Sequence, residues 1–166
     1  VPAETDPVTD ENWSDHPKVT AAQALAERID LSAKTSSWRT ETVKDSTHDP
    51  SVRELIAAQD ERGQIRRLTI IEVSGELSRT TVQYYDDDKV LRLVKADDAH
   101  AASEALYRTT IFFDATGEEL HRRDKRLLSE QSGPSLSAPV ADRLLTSSDA
   151  AKALMETHRA LISPGE

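Results

Sequence analysis

Arg79-Thr80-Thr81-Val82-Gln83-Tyr84-Tyr85-Asp86 and Arg108-Thr109-Thr110-Ile111-Phe112-Phe113-Asp114 are the two stretches that decide the fold of this chain. Between them they hold all but one of the three tyrosines and two phenylalanines. β-Branched and aromatic side chains pack well on a pleated surface, and an Asp after such a run marks the entry to a turn, so each phrase reads as a strand. Alternation puts Tyr107, Ile111 and Phe113 on one face and Arg108, Thr110 and Phe112 on the other. One ring of each pair is then expected in the core, and the other, Tyr85 and Phe112, is expected to look outward. With Arg79 and Arg108 as flanking cations, those outward rings predict a partner-binding face, because aromatic residues and Arg anchor interfaces. The second phrase is one residue shorter between its Arg and its first ring, an offset that turns the two arginines to opposite sides.

Working outward, residues 52–58 and 65–73 flank Asp60-Glu61-Arg62-Gly63 and predict a hairpin, Gly63 being the residue best able to take positive φ, with a helical turn over Val52-Arg53-Glu54-Leu55-Ile56 as the alternative. Ser74-Gly75-Glu76, Asp86-Asp87-Asp88 and Ala115-Thr116-Gly117 read as further turns. They separate strands at 78–85, 90–94, 106–113 and 118–127, with a longer connection over 95–103. Strands joined by two to four polar residues run antiparallel. A short strand is expected within 36–43 and a loop over 44–50.

Ala22, Leu25, Ile29 and Ala33 make an apolar stripe for a first helix over 18–34, opened by Ser14, Asp15 and Pro17. Gln131-Ser132-Gly133-Pro134-Ser135 reads as a linker, 139–145 as a helical turn, and Ser147-Ser148-Asp149 as the cap of a closing helix with Ala150, Leu154, His158 and Leu161 on its stripe. The expected fold is α+β: an antiparallel β-meander of about five to six strands packed with an N-terminal and a C-terminal amphipathic helix, both on one face. Residues 1–15 carry five carboxylates and no Lys or Arg, and read as a solvated N-terminal lead-in to a single α+β domain over 16–166.

When Tyr84-Tyr85-Asp86-Asp87-Asp88-Lys89-Val90-Leu91 is set beside Phe112-Phe113-Asp114-Ala115-Thr116-Gly117-Glu118-Glu119-Leu120, the chain resembles a loose group of uncharacterised exported bacterial proteins with an N-terminal helix and an antiparallel β-meander. The resemblance covers about residues 52–127. It implies export and fold, and it supplies no catalytic residue.

The formal charge of −9 argues against nucleic acid as a partner, since phosphate backbones need clustered cations. The strongest basic run, His121-Arg122-Arg123-Asp124-Lys125-Arg126, reads first as a solvated edge strand protected against pairing, and second as an anion or acidic-partner site. With no cysteine, thiol catalysis, disulfides and thiolate metal sites are excluded. No apolar run approaches the ~20 residues of a membrane span. The polar, proline-bearing start Val1-Pro2-Ala3 fits a processed export signal, which predicts a periplasmic or secreted protein, and a lipid anchor on a removed upstream residue is compatible with it.

Asp86, Asp87 and Asp88 are the densest carboxylates, but a calcium loop needs spaced ligands where Lys89 stands, so they are expected to form a solvated turn. Asp97, Asp98 and His100 lack a second imidazole, and no metal is predicted. His158 reads as a packed imidazole. No serine-hydrolase elbow and no Gly-rich phosphate loop is present. The expectation is therefore a non-enzymatic exported binding or interaction module with a protein partner, of inhibitor or immunity type, with no cofactor and no catalytic residue. The alternative is an enzymatic or small-molecule-binding domain with an internal pocket.

Overall fold

The computed structural model describes residues 2–35, 37–44, 51–100, 105–128 and 144–160. A short 3₁₀ turn at Trp13–Asp15 leads into α1 (Pro17–Thr35), followed by β1 (Arg39–Lys44), β2 (Val52–Gln59), β3 (Ile65–Ser74), β4 (Leu77–Tyr85), β5 (Leu91–His100), β6 (Ala105–Phe113), β7 (Glu119–Leu128) and α2 (Ser148–Ala160). The strands form one antiparallel seven-stranded sheet in chain order, an α+β fold built on a β-meander. β5 runs on through Asp97 and Asp98 to His100, where a connection was expected, because its partners on β4 and β6 continue the ladder alongside it. The linker over 131–135, most of the expected helical turn at 139–145 and residues 45–50 of the loop expected over 44–50 lie outside the described residues, while Lys44 closes β1.

Three hairpins share one turn. Asp60, Asp86 and Asp114 each accept backbone N–H groups two and four residues on, at 2.9–3.0 Å, so the carboxylate closes the loop from within. The position three residues after each Asp takes positive φ: Gly63 at 79°, Lys89 at 69° and Gly117 at 89°. A bulge follows each turn, leaving Arg66, Arg92 and Leu120 without a ladder partner on the returning strand. Arg66 uses that freedom to donate Nε to the Tyr85 carbonyl at 3.0 Å, and Arg92 donates to the Phe113 carbonyl at 3.1 Å. Leu120 stands on the last strand, where no further strand offers a carbonyl, and it packs against the apolar cluster under α1 instead.

The two helices lie on opposite faces of the sheet, not on one as expected. Under α1, Val19, Ala22, Leu25, Ala26 and Ile29 close over Tyr84, Leu93 and Phe112. Under α2, Ala151 and Met155 belong to the larger cluster that includes Leu55, Leu68, Ile70, Tyr85, Leu91, Val94, Ile111 and Phe113. α2 is fixed at its start by Ser147 Oγ, which accepts from Ala150 N at 3.1 Å, and by Ser148 Oγ, which donates to the Ile65 carbonyl at 2.8 Å. The cap of α1 is His16, whose Nδ1 accepts from Lys18 N at 3.2 Å, in place of the expected Ser14 or Asp15. With Nδ1 accepting, Nε2 carries the proton and donates to the Asp6 carbonyl at 2.8 Å, which ties the acidic lead-in to the fully buried imidazole.

Candidate functional site

The sheet register places the predicted site residues. Tyr84 pairs with Leu93, which pairs with Phe112, so the first ring of each doublet lies on the α1 face and the second, Tyr85 and Phe113, lies on the α2 face. The rings alternate as the sequence predicts, but both faces are covered. Tyr85 is 0% and Phe112 2% exposed. The expected outward aromatic face is therefore absent, and Tyr85 and Phe112 point to opposite sides of the sheet. Phe112 lies under α1 with Trp13 stacked beside it at 6.0 Å between ring centroids. Tyr85 donates its hydroxyl to the Leu145 carbonyl at 2.8 Å on the other side.

Burial pushes the Tyr85 hydroxyl far above its ordinary titration range. Tyr84 moves the same way, first through burial and then through Asp30, to which its hydroxyl donates.

Arg79 and Arg108 do face opposite sides, and adjacent aspartates of β5 hold them. Asp98 takes Arg79 in a two-point pair, with Nη2 at 2.8 Å from Oδ2. Asp97 takes Arg108 through Nε at 2.7 Å and Nη2 at 3.0 Å, which binds the guanidinium proton more tightly still. Of the acidic turn, Asp86 is buried rather than solvated, because its carboxylate serves the turn and Arg92, while Asp87 Oδ1 lies 2.8 Å from Arg66 Nη1.

What the register does assemble is a cationic hollow on the α1 face. α1 crosses the strands near the Asp-turn end, over the cross-strand row Arg67, Tyr84, Leu93, Phe112 and His121. The next row is Thr69, Val82, Lys95, Thr110 and Arg123, and the one after it is Ile71, Thr80, Asp97, Arg108 and Lys125. Beside the helix these rows leave a hollow of about 290 Å³, with Leu93, Phe112, Ala26 and Trp13 at its apolar end. Lys95, Arg108, Arg123 and Lys125 bring four positive charges to it, against Glu27 on its wall and Asp97 behind Arg108.

Among the described residues no carboxylate pairs with Lys95, Arg123 or Lys125. Arg123 Cζ lies over the Trp13 indole, 4.2 Å from the ring centroid, and Lys95 Nζ sits 5.9 Å from the Tyr84 ring. Trp13 is itself stacked on His121, with rings 5.6 Å apart and 9° from parallel. Trp13 thus contacts both Arg123, which lines the hollow, and His121, which is not among the lining residues.

Arg123 and Lys125 were legible as the exposed alternates of a basic edge strand. Lys95 and Trp13 were missed, because neither stands near that strand in sequence. Alternation along 93–97 would have put Lys95 on the Leu93 face, but nothing in the sequence brings Trp13 to β7. No family model, curated protein or solved structure matches the chain.

Proposed function

We propose that this protein is a non-enzymatic binding module that takes a small organic anion in the hollow between α1 and strands β5 to β7. The observation that carries the reading is the set of three cations without carboxylate partners, Lys95, Arg123 and Lys125, around an apolar floor in a chain of net charge −9. In such a chain, cations left without carboxylate partners beside an indole and a phenyl ring offer charge complementarity to an anion with an apolar body. The size is that of a small-ligand site at the lower end of the usual range of about 300–1,000 Å³. A hollow of about 290 Å³ suits a compact anion.

The side chains that line the hollow support binding in preference to catalysis. They comprise cations, one carboxylate, one threonine hydroxyl and one glutamine amide, with no imidazole or second carboxylate to serve as a general base beside a nucleophile.

The test is titration with anilinonaphthalene sulfonate, an aromatic anion, followed by tryptophan quenching in a Trp38→Phe background that leaves Trp13 as reporter. Saturable one-site binding is expected, weakened by added salt and at least about tenfold by Lys95→Gln/Arg123→Gln/Lys125→Gln. The same triple variant should keep its unfolding midpoint, since these side chains are surface groups. Equal binding by wild type and the triple variant would overturn the reading.

A further inference from the structure

The hollow is sorted along the strands into an apolar end and a cationic end. Same-face neighbours on a strand stand about 7 Å apart. Over that one step the pair Leu93 and Phe112 gives way to Lys95, Thr110 and Arg123, which are direct partners across β5, β6 and β7. Lys125 follows Arg123 on the same face. Thr110 therefore stands between two cations, and its hydroxyl makes no hydrogen bond among the described residues.

The lining carries positive charge in excess. Arg108 is neutralised by Asp97 in a two-point pair. Lys95, Arg123 and Lys125 bring three positive charges with no carboxylate partner among the described residues, and Glu27 on the helix wall brings one negative charge. Three less one leaves two. A monoanion offsets half of that excess, and a dianion offsets all of it.

We infer that the occupant is an aryl phosphomonoester, with its dianionic phosphate among Lys95, Thr110, Arg123 and Lys125 and its ring at the Leu93 and Phe112 end beside Trp13. The inference rests on the anion reading above and specifies its ligand class. A phosphate gathers two charges and three acceptor oxygens on one atom, which matches cations clustered at one end around a free hydroxyl donor. A linear dicarboxylate would carry its second charge to the apolar end. A ring joined through a single ester oxygen reaches the next row with no linker chain, and one ring suits a hollow of about 290 Å³.

The experiment is a calorimetric titration with phenyl phosphate and phenyl sulfate, which share a shape and differ by one charge. At about pH 7.5 the phosphate monoester, whose second pKa is about 6, is close to dianionic. Phenyl phosphate is expected to bind at least about tenfold more tightly than phenyl sulfate. Lys125→Gln should reduce that ratio to about threefold by removing one charge of the excess. Thr110→Val, which keeps the side chain's shape, should weaken phenyl phosphate about fivefold and leave the unfolding midpoint in place. Inorganic phosphate, which lacks the ring, should bind at least about tenfold more weakly than the ester. A free ester and a phosphotyrosine side chain share this chemistry, and N-acetylphosphotyrosine amide separates them: tighter binding of the amide than of phenyl phosphate places the ester on a protein, and weaker or equal binding places it on a small molecule.

Equal affinity for phenyl phosphate and phenyl sulfate would overturn the dianion inference and leave the anion reading standing. So would phthalate bound as tightly as phenyl phosphate, since its two charges are divided between two carboxylates. Inorganic phosphate bound as tightly as the ester would remove the ring from the ligand. Phenyl phosphate affinity unchanged in both Lys125→Gln and Thr110→Val would refute the placement of the head group. No saturable binding of any of these anions or of anilinonaphthalene sulfonate would end both readings.

Discussion

The two faces of one sheet have been finished differently, although every strand contributes alternate residues to both. On the α2 face the rows Leu68, Gln83, Val94, Ile111 and Ile70, Thr81, Ala96, Thr109 are buried from β3 to β6. On the α1 face only the row under the helix is closed, and the two rows beyond it carry Lys95, Arg108, Thr110, Arg123 and Lys125 partly or fully exposed. A face packed to crystal-like density gives stability and leaves no room for a ligand. A face covered by a helix over part of its width gives an edge, and an edge between helix and sheet is where a hollow forms.

Adjacent residues of β6 provide the sharpest contrast. Ile111, on the α2 face, is 0% exposed, and Ile111→Ala is expected to cost about 3 kcal/mol in urea unfolding. Its neighbour Thr110 lines the hollow, and Thr110→Ala is expected to stay within about 0.5 kcal/mol. Similar losses at the two positions would mean that the α1 face is as tightly packed as the other, and the comparison would fail.

A smaller effect separates the rings of the first doublet from an ordinary surface tyrosine. Tyr85→Phe removes the hydroxyl donated to Leu145, which closes the α2 face, for a loss of about 1–2 kcal/mol. The folded-state pKa of Tyr85 is raised, so its contribution is complete below the unfolded tyrosine value of 10.0 and declines as pH rises beyond it. Melting temperature measured from neutral to strongly alkaline pH should fall more steeply in wild type than in Tyr85→Phe. Parallel curves would show that the buried hydroxyl does not control alkaline stability.

The smallest change tests the turn end that both faces share. Lys89 holds the left-handed position that glycine fills in the other two Asp turns. Lys89→Gly should therefore stabilise by about 1 kcal/mol in denaturant titration. Gly117→Ala should destabilise by a similar amount, through its backbone alone, since the added Cβ would meet Val90 Cγ1 at an ordinary 3.5 Å. A Lys89→Gly loss would mean that its ion pair with Asp149 at the start of α2 outweighs the strain.

The hairpins were legible because their signals are local. An Asp, a residue fit for positive φ and flanking β-formers specify a turn within a few residues, and alternation then assigns faces. The repeat at Tyr84-Tyr85-Asp86 and Phe112-Phe113-Asp114 marked the turn correctly, and Asp60-Glu61-Arg62-Gly63 was read as a hairpin turn, but its kinship with the other two was hidden because Ala58-Gln59-Asp60 lacks the rings. The reading of Tyr85 and Phe112 as exposed failed because a strand reports which side a residue takes and not what covers that side. The run of Asp97 and Asp98 resembled a loop in one dimension; on β5 each carboxylate meets an arginine of a neighbouring strand, so the charges are stabilised within the sheet.

The sequence by itself determined the order of strands, their antiparallel pairing and the two sides of each ring doublet, since these follow from short-range periodicity and turn chemistry. Only the tertiary structure decided that the helices cover opposite faces, that Trp13 reaches Arg123 and His121, and that Lys95 joins Arg108 and Lys125 around one hollow. Those outcomes depend on where two apolar helix stripes minimise exposed area on a twisted sheet, a balance summed over residues far apart in the chain.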